Sequence, residues 1–363
     1  MTTDQRISVR LHLTNVAGAG AIQLLQSLLP ALELVSNYSV THIFLPERGK
    51  LSTYRSTYST TVSEIYHREM PNALSRMLEC TLFSRRFDGC TPLLVLGDLP
   101  LRCQGPQTLF VQTPNLLKPL RQTYNLDGIK YFISRALFRL SMQRVHAFIV
   151  QTEVMRKELE RTYPGIVGRV HVVAQPVPVW LLHSGLNRQG RIKAASSNLN
   201  LFYPAAGYPH KNHKLLSQLD SNVSWPVEKL LLTLDASCHP APKLRWIHCI
   251  GFLNPQKMIE TYAEVDALLF LSKDESYGFP LIEAMFVGLP IVCSDLPYAR
   301  TLCGDDAIYF HPDRPDSLLQ ALMTLKSRLD NGWWPNWQER LACLPKNWDE
   351  VAHKMLEIAC HLK

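Results

Sequence analysis

The sequence predicts an α/β protein built from two doubly wound halves, and three observations lead there. The chain has 363 residues, 46% of them hydrophobic, enough for two domains with a core each. Short apolar runs alternate with helix-period segments through both halves, the pattern of mostly parallel sheets. Between 174 and 198 that pattern breaks, at Pro176, Pro178 and His183-Ser-Gly-Leu-Asn-Arg-Gln-Gly-Arg191, and then restarts.

In the first half, Ile7–Leu13 alternates like a strand. Asn15-Val-Ala-Gly-Ala-Gly20 is a turn, and Ala21–Leu34 has helical apolar spacing. Gly18 and Gly20 would let a phosphate or sugar approach that helix N-terminus, or simply make a tight connection. Further strands are expected at Val40–Leu45, Leu93–Leu96, Thr108–Gln112, Ala147–Gln151 and Val170–Val173. Helices are expected over 62–82, 127–145 and 153–163. In the second half, Leu199–Ala206, Lys229–Leu234, Trp246–Gly251, Val265–Ser272 and Leu289–Cys293 read as strands. Helices are expected over 211–219, 255–264 and 348–361. The predicted domains are 1–180, a linker at 181–198, 199–345, and a terminal helical segment 346–363.

Charge is unevenly distributed. Residues 1–190 hold 21 Lys and Arg against 12 Asp and Glu, or +9, whereas residues 191–363 hold 17 against 19, or −2. Lys118, Arg121, Lys130, Arg135, Arg139 and Arg144 interleave with Tyr131, Phe132, Leu137, Phe138 and Leu140. That reads either as a core helix with a solvated basic face or as a surface for anionic lipid or an acidic glycan carrier. No nucleic-acid-binding module is recognisable. Nine scattered cysteines without a Cys-x-x-Cys pair suit reduced, buried thiols in a cytoplasmic protein. No apolar run reaches the roughly 18 residues of a membrane span.

The sharpest chemical signal is Glu275-Ser-Tyr-Gly-Phe-Pro-Leu-Ile-Glu283. It follows an expected buried strand and opens a helix, the place where open α/β sheets bind ligands. Gly278 permits an unusual turn, and Pro280 suits a first helical position. The N–H groups of Leu281 and Ile282, beyond Phe279, would lack intrahelical partners and could face an anion. A second loop, Leu201-Phe-Tyr-Pro-Ala-Ala-Gly-Tyr-Pro-His-Lys-Asn-His213, ends the first strand of the second half and carries Gly207 and Lys211. Lysine is a reasonable diphosphate partner there.

The two segments resemble the donor-site motifs of retaining glycosyltransferases of the GT-B fold, family 4 or group 1 type. The resemblance implies two Rossmann-like domains facing a cleft. It also implies transfer of a hexose from a nucleotide sugar, with retention, to a glycan or lipid-linked acceptor in surface polysaccharide synthesis. Lys211 would meet the departing diphosphate, Glu275 the donor-sugar hydroxyls and Glu283 the ribose. The sequence departs from the family pattern at Ala205, where many members carry an arginine; Lys214 or Lys273 would have to supply its charge. It departs again at Phe110-Val-Gln-Thr-Pro-Asn-Leu116, which lacks the family's histidine and leaves Gln112, Thr113 and Asn115 as polar candidates on the acceptor side. No Asp-x-Asp occurs, so no metal cofactor is expected. The alternatives are another GT-B enzyme, an epimerase or phosphorylase, and a non-catalytic nucleotide-sugar-binding protein.

Overall fold

A computed structural model describes residues 6–16, 18–49, 51–56, 63–66, 73–117, 126–191 and 197–361. The chain forms two compact units, Met1–Pro176 with Pro345–Lys363, and Val177–Leu344.

The first unit is built on seven strands: β1 Ile7–His12, β2 Tyr38–Leu45, β3 Ser63–Tyr66, β4 Leu93–Val95, β5 Gln107–Phe110, β6 Ala147–Val150 and β7 Val170–Val172. Their order is β3-β2-β1-β4-β5-β6-β7, with parallel pairing throughout. The strand order reverses between β1 and β4, which creates a crevice at their carboxyl ends. β4, β5 and β6 are buried along their whole length, as strands covered on both faces must be. The helix Trp348–Cys360 belongs to this unit and packs on the helix Ala19–Leu34. Its stripe of Trp348, Val351, Ala352, Met355, Leu356 and Ala359 is buried at helical spacing. Asn347 caps it, accepting a hydrogen bond from the Glu350 N–H at 2.9 Å.

The second unit holds β8 Leu199–Tyr203, β9 Val227–Leu232, β10 Ile247–Cys249, β11 Ala267–Phe270, β12 Ile291–Ser294 and β13 Ile308–Phe310. The order is β10-β9-β8-β11-β12-β13, again parallel, so the reversal falls between β8 and β11.

Several expectations change. The helix expected over 62–82 is a strand, β3, and then a helix, Ala73–Cys80. The helix expected over 211–219 is two 3-10 turns, Pro209–Lys211 and His213–Gln218. Asn212 between them is left-handed (φ 56°), which stops an α-helix from propagating. The boundary between the units falls at Pro176 and Val177, and the described part of the expected linker 181–198 lies in the second unit rather than as a free connector. Arg188 is buried and donates from Nη1 to the carbonyls of Tyr262, Ala263 and Val265, capping the helix Pro255–Glu264. Gly288 is obligatory beside it, because a Cβ there would lie 2.3 Å from the Arg188 carbonyl oxygen. Nor are the thiols all buried: Cys90, Cys238 and Cys343 are exposed. The sequence reading missed β13 and the helices Pro297–Cys303 and Pro315–Asp330.

Candidate functional site

The loops that follow β8 and β11 meet at the carboxyl edge of the second sheet. Backbone bonds knit them together: the Lys273 N–H donates to the His210 carbonyl at 2.8 Å, and the Ser272 hydroxyl donates to the same oxygen at 3.3 Å. Tyr298 fixes the β11 loop by donating to the Ser272 carbonyl at 2.6 Å. Tyr203, at the end of β8, donates to the Lys211 carbonyl at 2.7 Å. Asn212 reaches the Pro312 carbonyl at 2.8 Å, tying in the segment after β13. Two buried tyrosines, Tyr203 at the end of β8 and Tyr298 in the helix Pro297–Cys303, thus hold the loops.

On this frame Lys211 Nζ stands 2.5 Å from Glu275 Oε1, with side-chain exposures of 16% and 11%. The ammonium also lies 5.9 Å from the centre of the Phe270 ring. The pair spans the point where the strand order reverses, one charge from each side. Both charges are largely dry, so their fields are weakly screened. His213 beside them is buried, and burial together with the Lys211 charge lowers its imidazole to about 4. It is therefore neutral near pH 7, and Lys211 gets no help from it as a cation.

Gly278 takes the left-handed turn the sequence expects (φ 89°) and opens the helix Phe279–Phe286, with Pro280 in its first turn. The expected pair of free N–H groups is not there. The Leu281 N–H closes a tight turn onto the Gly278 carbonyl at 2.9 Å, because the left-handed glycine swings its own carbonyl into the helix start. Lys211 likewise sits by a short 3-10 turn rather than at an α-helix N-terminus. Gly207 lies exposed in the β8 loop. Glu283 is 2% exposed and accepts the Tyr262 hydroxyl at 2.8 Å. Burial raises its carboxyl to about 7, and the tyrosine bond opposes that only in part. Of the two lysines weighed as substitutes at Ala205, Lys273 is paired with Asp313 and Lys214 is exposed.

The first unit places its candidates differently. Asp98, left-handed at φ 65°, accepts the N–H groups of Gln112 at 2.5 Å and Thr113 at 3.0 Å. Gln112 spends its amide on the Leu96 carbonyl at 3.1 Å. Thr113 caps a 3-10 turn and accepts from the Asn115 N–H at 3.4 Å, while Arg135 grips the Asn115 carbonyl at 2.9 Å. These polar groups hold their own loop. Gly18 has an ordinary φ of −69°, Gly20 no positive φ, and a Cβ at either would touch nothing within 4 Å. Their backbone does not require glycine.

Sequence reasoning missed a buried cluster at the end of β1. His12 Nε2 is 2.5 Å from Glu79 Oε1, and the Thr14 hydroxyl contacts both. Phe87 meets the imidazole edge-on at 4.6 Å between ring centres. Only the alternation of Arg10, His12 and Thr14 along one strand face hinted at it.

The family described as glycosyl transferases group 1 matches residues 233–328. The chain is 22% identical to O-antigen chain mannosyltransferase RfbU of Salmonella typhimurium, over 66% of this chain and 68% of that protein. It is 28% identical over 150 residues to serotype-specific mannosyltransferase WbdA of Escherichia coli, covering 39% of this chain and only 18% of that longer one. Among solved structures, WaaG, a glycosyltransferase involved in lipopolysaccharide biosynthesis, superposes with a TM-score of 0.63 at 12% identity, covering 97% of this chain and all of that one (100%). A sucrose-phosphate synthase from Thermosynechococcus elongatus gives 0.64 at 14% identity, with 97% and 98% covered. With two parallel doubly wound sheets and these structural neighbours, the chain has the GT-B fold, and its residues 233–328 match the glycosyl transferases group 1 family.

Proposed function

We propose that this chain is a retaining hexosyltransferase. It takes a sugar, mannose by the names of its relatives, from a nucleotide-activated donor. It passes that sugar to a glycan or lipid-linked acceptor in surface polysaccharide synthesis. The observation that carries the reading is the Lys211–Glu275 pair at the β8/β11 crevice. In the transfer the bond from anomeric carbon to diphosphate oxygen breaks, an acceptor hydroxyl oxygen takes its place, and the hydroxyl proton passes to the departing diphosphate. Negative charge grows on the diphosphate, and the Lys211 ammonium in its dry setting opposes that charge. Glu275 exchanges its contact with Lys211 for donor-sugar hydroxyls. Glu283, held by Tyr262, lines the ribose end. The reading asks for no metal, since Lys211 supplies the cation. The excess of +9 on the first 190 residues supports a cytoplasmic protein working at an anionic membrane surface.

The test is to incubate the protein with nucleotide-activated mannose and a cell-envelope extract. Release of nucleoside diphosphate and the anomeric configuration of the product are then measured. Diphosphate release with a retained configuration is expected; an inverted product overturns retention. An isomerised donor without diphosphate release would favour the epimerase alternative, and donor binding without turnover would favour the non-catalytic one.

A further inference from the structure

The first unit also carries a basic pocket at the opposite edge of its sheet from the β1/β4 crevice. A cavity of about 210 Å³ is lined by Arg85, Arg102 and Arg144, with Thr81, Ser84 and Asp88. All of these precede strands: 81–88 runs into β4, Arg102 into β5 and Arg144 into β6. The pocket therefore belongs to the amino-terminal edge. Among the described residues, none of the three guanidinium groups donates a hydrogen bond or forms an ion pair. The single carboxylate, Asp88, already accepts the Gln104 N–H at 2.6 Å. Three arginines against one engaged carboxylate make a site of net charge +2, with two hydroxyls beside it.

The chain between Thr81 and Ser84 is Leu82-Phe83, exposed at 72% and 45%. One turn before Arg144, Leu140 is 68% exposed, and Phe132 on the same helix is 55% exposed. Exposed leucine and phenylalanine set among arginines, with few acids, is the composition of a surface that lies in a lipid headgroup layer. Arginine's planar donors match phosphate oxygens two at a time.

We propose that this pocket holds the phosphate of an anionic lipid headgroup while Leu82 and Phe83 enter the interface beside it. The proposal rests on the membrane-surface reading above and gives it an address. Lipid is favoured over a soluble phosphate ester because the apolar residues flank the arginines and would have no role with a soluble ligand.

The experiment sediments the full-length chain with phosphatidylcholine vesicles, with and without phosphatidic acid, at low salt. Wild type is expected to pellet only with phosphatidic acid. Arg85→Gln with Arg144→Gln should weaken that binding roughly thirtyfold, at the usual strength of a basic residue near an anionic surface. Its thermal shift with nucleotide-activated mannose should match wild type, showing that the fold and the donor site are intact. Leu82→Ser with Phe83→Ser should lower vesicle binding and leave the affinity for inorganic phosphate unchanged. Vesicle binding that survives the double arginine change overturns the pocket but keeps the membrane reading. Failure of wild type to pellet overturns both. If inorganic phosphate binds and the Leu82 and Phe83 changes leave vesicle binding intact, the lipid assignment is overturned in favour of a soluble phosphate.

Discussion

The two units reverse strand order in the same way, yet their crevices are chemically opposite. In the second unit the loops after β8 and β11 project a lysine and a glutamate at each other across the reversal point. In the first, the ends of β1 and β4 turn their polar groups inward. His12, Thr14 and Glu79 bond to one another beneath the surface, and Asp98 holds the amides of its neighbours. Equal topology therefore does not give equal function; what differs is whether the polar groups at the strand ends are used by the protein itself.

The comparison breaks most readily at the second crevice. Lys211→Ala should lower kcat/KM for sugar transfer by about a hundredfold or more, the usual loss on removing one group that stabilises developing charge. Far-ultraviolet circular dichroism should not change. If transfer survives, the pair is not catalytic and the two crevices do not differ in this respect. At the first crevice the effect should be on stability. His12→Ala leaves the Glu79 carboxylate buried without its imidazole partner, which should cost about 3 kcal/mol in urea unfolding. Donor affinity should be untouched.

A pH series sharpens the contrast within the second unit. Glu283 has a carboxyl raised to about 7 by burial, against an unperturbed 4.5. Between those values the folded chain binds more protons than the unfolded one. Its contribution to stability is full below about pH 4.5 and is lost as pH rises through 7. Glu283→Gln should flatten that part of the curve, by roughly 2 kcal/mol between pH 5 and pH 8 in urea midpoints. Calorimetry on the same variant reads the ribose role: unchanged donor affinity would remove Glu283 from the donor site. The smallest effect is expected from Gln112→Ala. It loses one bond to the Leu96 carbonyl and should cost about 1 kcal/mol with no change in donor affinity.

Local chemistry explains which features were legible. The helix Pro255–Glu264 was readable because Asn254, Pro255 and the apolar spacing all agree, and the Asn254 side chain does cap it. Gly278 and Pro280 gave away the turn before the helix Phe279–Phe286, since few residues tolerate that backbone. The segment after β8 misled, because Lys211–Leu219 has helical composition. A left-handed Asn212, held by the Pro312 carbonyl from a distant loop, overrides that composition. That Tyr262 would donate to the Glu283 carboxylate was not legible, because the two lie 21 positions apart on different helices.

The sequence by itself determined two parallel α/β halves, because apolar period and turn residues act over short distances. It also determined that a lysine and a glutamate end the first and fourth strands of the second half. Only the tertiary structure decided that these two meet at 2.5 Å. It alone decided that a histidine, a threonine and a glutamate meet, buried, at the corresponding end of β1 in the first unit. Residues 64 and 65–67 positions apart come together through sheet order, and sheet order is set by the packing of the whole unit, which no local pattern encodes.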